Sequence, residues 1–295
     1  MEWKGTRGQV LTNVPMKRYT SMKVGGPAAY MVYPVDYADL ARVMRIAEDK
    51  GVAIRLLGNG TNIIVGDKGL DEAIVRMSRV RQMRFRKTAG GAFVETAGGI
   101  SLARLIRESV ERGLSGLEKL YGIPGTVAGA IKMNAGSFGV QISDHLRSVT
   151  YMDRSGQIAR REKEACGFGY RTSLFTSAEP VLSGLFELHE GNKSHLKKEM
   201  ERVRAERWKK HPMEFPSAGS IFKNVAGSPA WKYIDQAGLR GFRIGNAAVS
   251  EKHPNFIVNL GNATADDIVG LIRKVEGEVY EKAGVRLEEE VELWI

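Results

Sequence analysis

Apolar residues recur every three or four positions in several segments, which is the spacing of one helix face. Residues 36–50 place Leu40, Val43 and Ala47 on such a face, directly after Asp36, a residue type that caps helix N-termini. This segment therefore predicts an amphipathic helix. The same reasoning predicts helices over residues 101–112, 194–210, 228–238 and 264–284, with N-caps at Ser101, Ser228 and Thr264.

Short apolar runs bounded by turn residues predict strands between these helices. They cover residues 54–57, 61–65, 149–152 and 181–188. Asp153–Gly156 is a turn signal of the kind that joins two hairpin strands, so we expect sheet around it. The glycine-rich residues 121–139 contain too many breakers for a regular helix. Helices and strands in this order predict an α/β or an α+β fold.

The length and charge of the chain narrow the possible classes of protein. It has 295 residues, which predicts two domains or one large domain with an appendage. Its formal net charge of +10 is typical either of a protein with a phosphate-bearing partner, nucleotide or nucleic acid, or of a basic proteome or mere solubility. One cysteine, Cys166, excludes an intramolecular disulfide, and the five scattered histidines lack metal-ligand spacing. No window approaches the roughly 18 apolar residues of a membrane helix, and no signal core follows the N-terminus. We therefore expect a cytoplasmic protein without a metal or membrane insertion.

A first glycine segment lies in a turn between two apolar strands. It consists of Gly58, Asn59, Gly60, Thr61 and Asn62. Without side chains, backbone N–H groups can converge there on an anion such as a phosphate. The segment is neither a Walker loop nor a dinucleotide fingerprint, and alone such a turn is more often structural.

A second glycine segment makes a cofactor site the better interpretation. Two such segments would together enclose a large flat cofactor, with apolar residues against its ring system and polar residues at its edge. The apolar residues are Ile123, Val127 and Ile131, and the polar ones are Thr126 and Asn134. The cofactor-binding residues predicted in this segment are Gly122, Ile123, Pro124, Gly125, Thr126, Gly129, Asn134, Ala135 and Gly136.

Six motifs together are much more specific than either glycine segment. They are TSMKVGGPA (20–28), GNGTNIIV (58–65), YGIPGTVAGAIKMNAG (121–136), FGYRTSLF (168–175), AGSIFKN (218–224) and LEEEV (287–291). In this order, over essentially the whole chain, the sequence resembles the UDP-N-acetylenolpyruvoylglucosamine reductase family of bacterial peptidoglycan synthesis.

The resemblance implies a fold, a cofactor and two partners. It implies noncovalent FAD in a two-part FAD-binding domain of the vanillyl-alcohol-oxidase type, over residues 1–75 and 76–192. A smaller α+β substrate domain would follow over residues 193–295. NADPH would reduce the flavin, which would then reduce UDP-N-acetylglucosamine enolpyruvate to UDP-N-acetylmuramate, so the cofactor would carry the difficult step.

The resemblance also implies three catalytic residues. Ser220 in AGSIFKN matches the proton donor to the carbanionic carbon of the substrate. Arg171 in GYRTS matches the residue that stabilises the developing enolate, a task suited to a permanently charged guanidinium. Glu290 aligns with an acidic residue at the same end of the substrate. Three consecutive glutamates stand here where relatives commonly have Glu-Pro-Glu, so Val291 sets the register.

Residues near Ser220 predict how the substrate is held. Lys223 and Asn224 offer a point charge and two donors to its diphosphate or sugar. The span from Arg171 to Ser220 contains no tyrosine, so the chain resembles the shorter family members that lack a tyrosine-bearing loop. A group that the sequence does not name would then close over the diphosphate.

Each candidate also has a structural interpretation. Without the family, Ser220 is a turn serine, Arg171 a surface ion pair and the glutamates a solvated face.

A nucleic-acid-binding protein would use residues 194–210, but glutamates interleave the basic residues there, which favours a solvated helix. The alternative enzyme is another FAD-dependent oxidoreductase of the same superfamily. Cys166 is interpreted as a buried apolar residue, and the high charge is compatible with a monomer.

Overall fold

The computed structural model describes residues 3–225 and 227–295, and the chain divides into two compact units. The first unit comprises Met1–Thr12, Tyr30–Asn59 and Glu72–Glu206, and the second comprises Asn13–Ala29, Gly60–Asp71 and Arg207–Ile295. Because these segments alternate along the sequence, the polypeptide passes from one unit to the other five times.

Helices and strands are both well represented, as the predicted α+β class requires. The helices are α1 (Tyr37–Asp49), α2 (Leu102–Glu111), α3 (Val127–Lys132), α4 (Lys193–Lys210), α5 (Ala230–Gln236) and α6 (Ala265–Ala283). The strands are β1 (Gln9–Pro15), β2 (Pro27–Tyr33), β3 (Ile54–Leu56), β4 (Ile63–Val65), β5 (Leu70–Val75), β6 (Met83–Thr88), β7 (Gly91–Ala97), β8 (Leu114–Ser115), β9 (Gly136–Ser137), β10 (Val140–Gln141), β11 (Leu146–Met152), β12 (Ile158–Glu162), β13 (Val181–Glu190), β14 (Ser217–Ser220), β15 (Arg243–Ile244), β16 (Ala247–Val249), β17 (Phe256–Asn259) and β18 (Glu292–Trp294).

Three of the predicted helix starts are confirmed by their caps. Helices α1 and α2 follow Asp36 and Ser101, whose side-chain oxygens accept hydrogen bonds from the amide three residues on, at 2.8 and 3.3 Å. Helix α6 begins at a capping box of Thr264 and Asp267 and ends at Gly284. In each case a side-chain oxygen satisfies an amide that has no acceptor within the first turn.

The glycine-rich segment 121–139 contains a helix, so the expectation of an irregular segment was wrong there. Helix α3 starts after Thr126, whose hydroxyl accepts a hydrogen bond from the Gly129 amide at 3.3 Å. The helix is only six residues long, and Val127 and Ile131 within it are fully buried. Capping and burial therefore outweigh the low helix propensity of glycine at this site.

The first unit contains an antiparallel sheet in the order β12-β11-β13-β7-β6, with β8 beside β13. The turn at Asp153–Gly156 joins β11 to β12, which confirms sheet around it, while β13 pairs with the other edge of β11. Buried residues of α2, α3 and this sheet share one core, and Cys166 belongs to it as predicted. A second sheet, in the order β1-β2-β5-β3, packs beside α1 in a smaller apolar cluster.

The second unit is built around the antiparallel sheet β14-β17-β16-β15. The apolar stripe of α6 packs in the core of this unit, where Ile268, Leu271 and Ile272 are fully buried. Strand β18 pairs in parallel with β4, in the register Glu292↔Ile63 and Trp294↔Val65. The C-terminal end of the chain therefore lies beside the residues that follow the first glycine segment.

Helix α4 has the solvated, ion-paired face that its sequence predicts. Arg202 pairs with Glu199 at 2.7 Å and also with Glu206. Only Leu196, Met200 and Val203 of this helix are buried. In the described part of the chain, no helix has the length and apolar character needed to cross a membrane.

Candidate active site

Ser220 lies at a β-bulge in the second unit. Ser217 pairs with Val258 and Ser220 with Phe256, so β14 has one more residue than β17 over this stretch. Gly219, at φ 81°, has the left-handed backbone that this extra residue requires. A bulge redirects the side chains that follow it, and Ser220 is the next residue. The Ser220 hydroxyl makes no hydrogen bond to any residue that the structure describes in this unit.

Glu290 lies directly beside the segment that follows Ser220. Its amide donates to the Ile221 carbonyl at 2.7 Å, and Phe222 forms a β-bridge with Glu289. The structure thus brings together Ser220 and Glu290, two residues that are 70 positions apart in the sequence. Of the three predicted catalytic residues, Ser220 and Glu290 therefore belong to one unit, and Arg171 belongs to the other.

The other two glutamates of the acidic run are engaged by basic side chains. Glu288 pairs with Lys223 at 2.5 Å, and Glu289 pairs with Arg273 at 2.8 Å. Burial raises the pKa of Glu289, and the nearby Arg273 guanidinium opposes that shift. Glu288 and Glu289 therefore both belong to ion pairs, and the assignment of Glu290 continues to depend on the register set by Val291.

The predicted substrate ligands both have partners within the second unit. The Lys223 ammonium lies on Glu288, which is 73% exposed. The Asn224 side-chain oxygen accepts a hydrogen bond from the amide of Ala230, the first residue of α5, at 3.2 Å. The prediction that Ser228 caps this helix was wrong, because the cap position is Pro229 and the side-chain acceptor comes from Asn224.

Sequence reasoning missed Asn255, which fixes the residues after Ser220. This buried side chain accepts from the Phe222 amide at 3.0 Å and donates to the Phe222 carbonyl at 2.8 Å, while its own carbonyl accepts from the Ile221 amide at 2.8 Å. A lone asparagine after His253-Pro254 resembles an ordinary turn residue, so no local signal could have identified it.

Arg171 lies in the first unit in a strained backbone conformation. Its φ is 55°, which is uncommon for a residue other than glycine. The guanidinium donates to the Gly136 carbonyl at 3.2 Å and lies 5.0 Å from the centre of the Tyr170 ring. The 168–175 motif is therefore anchored on the second glycine segment, and residues in such rare conformations concentrate at functional sites.

Asn134 makes the second link between these two motifs. Its side-chain amide donates to Gln141 at 2.8 Å and to the Gly169 carbonyl at 2.9 Å, and its oxygen accepts from the Ser143 amide at 3.4 Å. All of these partners belong to the protein, so the side chain orders the loop that carries Arg171. Ser173 adds a third link by donating to the Lys132 carbonyl at 2.7 Å.

Gly58 and the second glycine segment, which both belong to the first unit, fit a cofactor that lies against bare backbone. A Cβ at Gly58 would lie 2.7 Å from the Thr126 hydroxyl oxygen, so the two predicted segments approach each other closely here. Backbone without side chains leaves N–H groups accessible to phosphate oxygens. Ile123 and Ala135 pack at the edge of the core of the first unit. Val127 and Ile131, in contrast, have no exposed surface, so the expectation that they contact the ring system was wrong.

Comparisons with known proteins agree over the whole chain. An FAD binding domain family matches residues 28–161, and the C-terminal domain family of UDP-N-acetylenolpyruvoylglucosamine reductase matches residues 211–294. A UDP-N-acetylenolpyruvoylglucosamine reductase from Carboxydothermus hydrogenoformans is 40% identical over 285 residues, 96% of this chain and 93% of that protein.

Solved structures give the same result. A crystal structure of UDP-N-acetylenolpyruvylglucosamine reductase (MurB) from Thermus caldophilus has a TM-score of 0.81 at 34% identity, covering 98% of this chain and 99% of that one. A solvent-stable cholesterol oxidase has a TM-score of 0.50 at 13% identity over 64% of this chain and 40% of its own, and it shares the fold alone. These matches confirm the predicted α+β architecture with an FAD-binding domain.

Proposed function

The chain belongs to the UDP-N-acetylenolpyruvoylglucosamine reductase family, and from this premise we propose that Ser220, Arg171 and Glu290 carry the substrate half of the reaction. The protein is an FAD-dependent oxidoreductase that reduces UDP-N-acetylglucosamine enolpyruvate with NADPH in peptidoglycan synthesis. FAD held by the two glycine segments would supply the hydride-transfer chemistry between NADPH and the enolpyruvyl carbon distal to the carboxylate. The remaining task of the protein is to stabilise negative charge on the substrate and to protonate the adjacent carbon.

The observation that carries this proposal is the position of Glu290 beside Ser220. The Glu290 amide is bonded to the carbonyl of Ile221, the residue after Ser220, at 2.7 Å. A hydroxyl is a weak acid, and it protonates carbon only from about 3 Å and with a neighbouring group that assists proton release. Ser220 is the proposed donor, and Glu290 is the proposed assisting carboxylate.

Arg171 is the proposed counter-charge to the enolate. Its guanidinium stays protonated at every relevant pH and can bind a carboxylate through two parallel hydrogen bonds. The Gly136 carbonyl and the Tyr170 ring both hold the guanidinium, so its orientation is set before the substrate arrives. Such preorganisation lowers the cost of stabilising charge in the transition state.

The two glycine segments are the proposed FAD site. Backbone of Gly58–Asn62 would contact the phosphates, and residues 122–126, Gly129 and 134–136 would line the ring system, with no covalent link. Lys223 and Asn224 are the proposed ligands of the substrate diphosphate or sugar. The proposed FAD site is supported by the close approach of Gly58 to Thr126 and by the match to an FAD binding domain family over residues 28–161.

The proposal extends to domain organisation and cellular context. Residues 1–75 and 76–192 would form the two parts of the FAD-binding domain and residues 193–295 the substrate domain, in keeping with the C-terminal family match over 211–294. The compact units have other bounds, since residues 13–29 and 60–71 belong to the second unit and residues 193–206 to the first. The protein would be a monomer. It would act in the cytoplasm, where NADPH and nucleotide sugars are available. Analytical ultracentrifugation tests the monomer, and fractionation of the source cells tests the compartment.

A visible absorption spectrum of the purified protein tests the function. Flavin bands should bleach on anaerobic addition of NADPH and return when UDP-N-acetylglucosamine enolpyruvate is added. Bands that bleach with NADPH but return only with a different oxidant would favour another FAD-dependent oxidoreductase of the same superfamily. Protein that neither contains nor takes up FAD would contradict the assignment altogether.

A further inference from the structure

The first glycine segment contacts the strand that carries Ser220. Ser21 donates its amide to the Gly60 carbonyl at 2.9 Å, and its hydroxyl donates to the Ser217 carbonyl at 2.6 Å. Ser217 is the first residue of β14, and Ser220 is the last. Through Ser21, the backbone of this glycine segment therefore supports the strand of the proposed proton donor.

The same segment holds Glu290 through Asn62. The Asn62 side-chain amide donates to the Glu290 carbonyl at 3.0 Å, and the Asn62 carbonyl accepts from the Glu292 amide at 3.0 Å. These two bonds lead into the parallel pairing of β18 with β4. Asn62 is therefore hydrogen-bonded to the backbone on both sides of Val291, at Glu290 and at Glu292.

We propose that Asn62 is a positioning residue that fixes the catalytic orientation of Glu290. The Glu290 amide is bound by Ile221 and its carbonyl by Asn62, at 2.7 and 3.0 Å, so the backbone of this residue is held at both polar groups. A carboxylate that assists proton transfer must be placed to within a fraction of an ångström, and such placement comes from hydrogen-bonded supports. The Asn62 side chain provides this support from a segment otherwise suited to phosphate binding.

The inference rests on the proposed role of Glu290, and it gives the first glycine segment a second task. This segment is linked by hydrogen bonds to both parts of the proposed protonation site, to β14 through Ser21 and to the Glu290 backbone through Asn62. The residues that would contact the cofactor therefore also set the distance between proton donor and carboxylate.

Asn62→Asp tests the inference, because this variant keeps the shape of the side chain and loses the donor to Glu290. Asn259→Asp is the matched control, since Asn259 also donates to a carbonyl at 3.0 Å, that of Met22, in the same unit. Hydrogen–deuterium exchange of the holoenzyme is measured over residues 287–295. Anaerobic stopped-flow measures flavin reduction by NADPH and flavin oxidation by UDP-N-acetylglucosamine enolpyruvate separately.

In Asn62→Asp, we expect exchange over residues 287–295 to accelerate about tenfold, since loss of a hydrogen bond frees this backbone. Measured at saturating FAD, flavin oxidation by the sugar nucleotide should slow about 10- to 100-fold, which is more than the slowing of flavin reduction by NADPH. Asn259→Asp should leave both the exchange over residues 287–295 and the rate of flavin oxidation by the sugar nucleotide unchanged. Asn62→Ala serves as a second variant if the aspartate disturbs folding.

Unchanged exchange and unchanged flavin oxidation by the substrate would overturn the inference, as would an equal slowing of both half-reactions at saturating FAD. Glu290→Gln separates this failure from failure of the proposed function. If Glu290→Gln leaves flavin oxidation by the substrate intact, the role of Glu290 is wrong and the positioning role falls with it. If Glu290→Gln is slow and Asn62→Asp is fast, only the positioning role is wrong.

Discussion

Gly58 lies so close to Thr126 that a methyl group on Gly58 would approach the threonine hydroxyl oxygen to 2.7 Å. The two residues belong to different glycine segments, 68 positions apart in the sequence. Their contact shows that the two segments meet within the first unit at Gly58, whose missing side chain leaves a bare backbone surface. A flat, phosphate-bearing cofactor needs such a surface, because side chains would keep its phosphates away from the backbone N–H groups.

Gly58→Ala should therefore weaken FAD binding. The added methyl must displace Thr126 or shift the segment, and forced packing of this kind typically costs about 1–3 kcal/mol. We expect the dissociation constant for FAD, measured by titration of the apoprotein, to rise at least about tenfold. Gly90→Ala is the control, since a Cβ there meets no atom within 4 Å. Equal affinities in both variants would contradict a cofactor site at Gly58.

Ser220→Ala should separate the two half-reactions. Flavin reduction by NADPH should be nearly intact, because that step does not use the hydroxyl. Turnover with the enolpyruvyl substrate should fall by about 10²–10⁴, the usual contribution of a positioned general acid. Ser228→Ala is the control, because this nearby serine does not cap α5. A comparable loss in both half-reactions of Ser220→Ala would argue against the proton-donor role.

Substitutions of Lys223 and Glu288 should change KM for the sugar nucleotide in opposite directions. Lys223→Met should raise KM for the sugar nucleotide about tenfold with a smaller effect on kcat, since a charged hydrogen bond to an anion is lost. Glu288→Gln should lower KM about two- to fivefold, because the mostly exposed glutamate competes for the Lys223 ammonium. Steady-state kinetics with varied sugar nucleotide checks both. If Lys223→Met leaves KM unchanged, Lys223 is not a substrate ligand.

The second unit should lose stability in mild acid through His211. Burial, reinforced by the nearby His253, lowers the pKa of His211 from 6.5 to about 4, and its ring stacks on Phe256 at 4.9 Å. Above pH 6.5 the side chain is neutral in both states. As pH falls toward 4 the unfolded chain binds the proton first, so stability is lost over this window.

His211→Phe keeps the aromatic stack and removes the titrating group. Its unfolding midpoint, measured by circular dichroism between pH 7.5 and pH 4, should therefore fall less than that of wild type. His195→Gln, on the exposed face of α4, should behave like wild type. A parallel decline in all three proteins would show that His211 does not contribute.

Local features of this protein were readable from the sequence, and long-range contacts were not. Asp36, Ser101 and Thr264 each cap a helix by accepting a hydrogen bond from the amide three residues on. Both partners of such a cap lie in the same short stretch of sequence, so the cap can be predicted from that stretch. The contact of Asn62 with Glu290 joins residues 228 positions apart, and Asn255 holds Phe222 across 33 positions. Nothing in the local sequence of Asn62 or Asn255 distinguishes them from turn residues. Family resemblance could suggest Ser220 and Glu290 as catalytic residues, whereas Asn62 and Asn255, which hold the backbone near them, could be identified only from the fold.

The alternation of the chain between the two units has a consequence for its synthesis. Met22, Val24 and Ile64 belong to the core of the second unit, yet the partners of that core lie mostly between residues 218 and 291. On the ribosome, these early apolar side chains emerge long before the segment that covers them. The second unit can complete its folding only when translation is nearly finished, so chaperones that shield nascent chains would have a long interval in which to act on this protein.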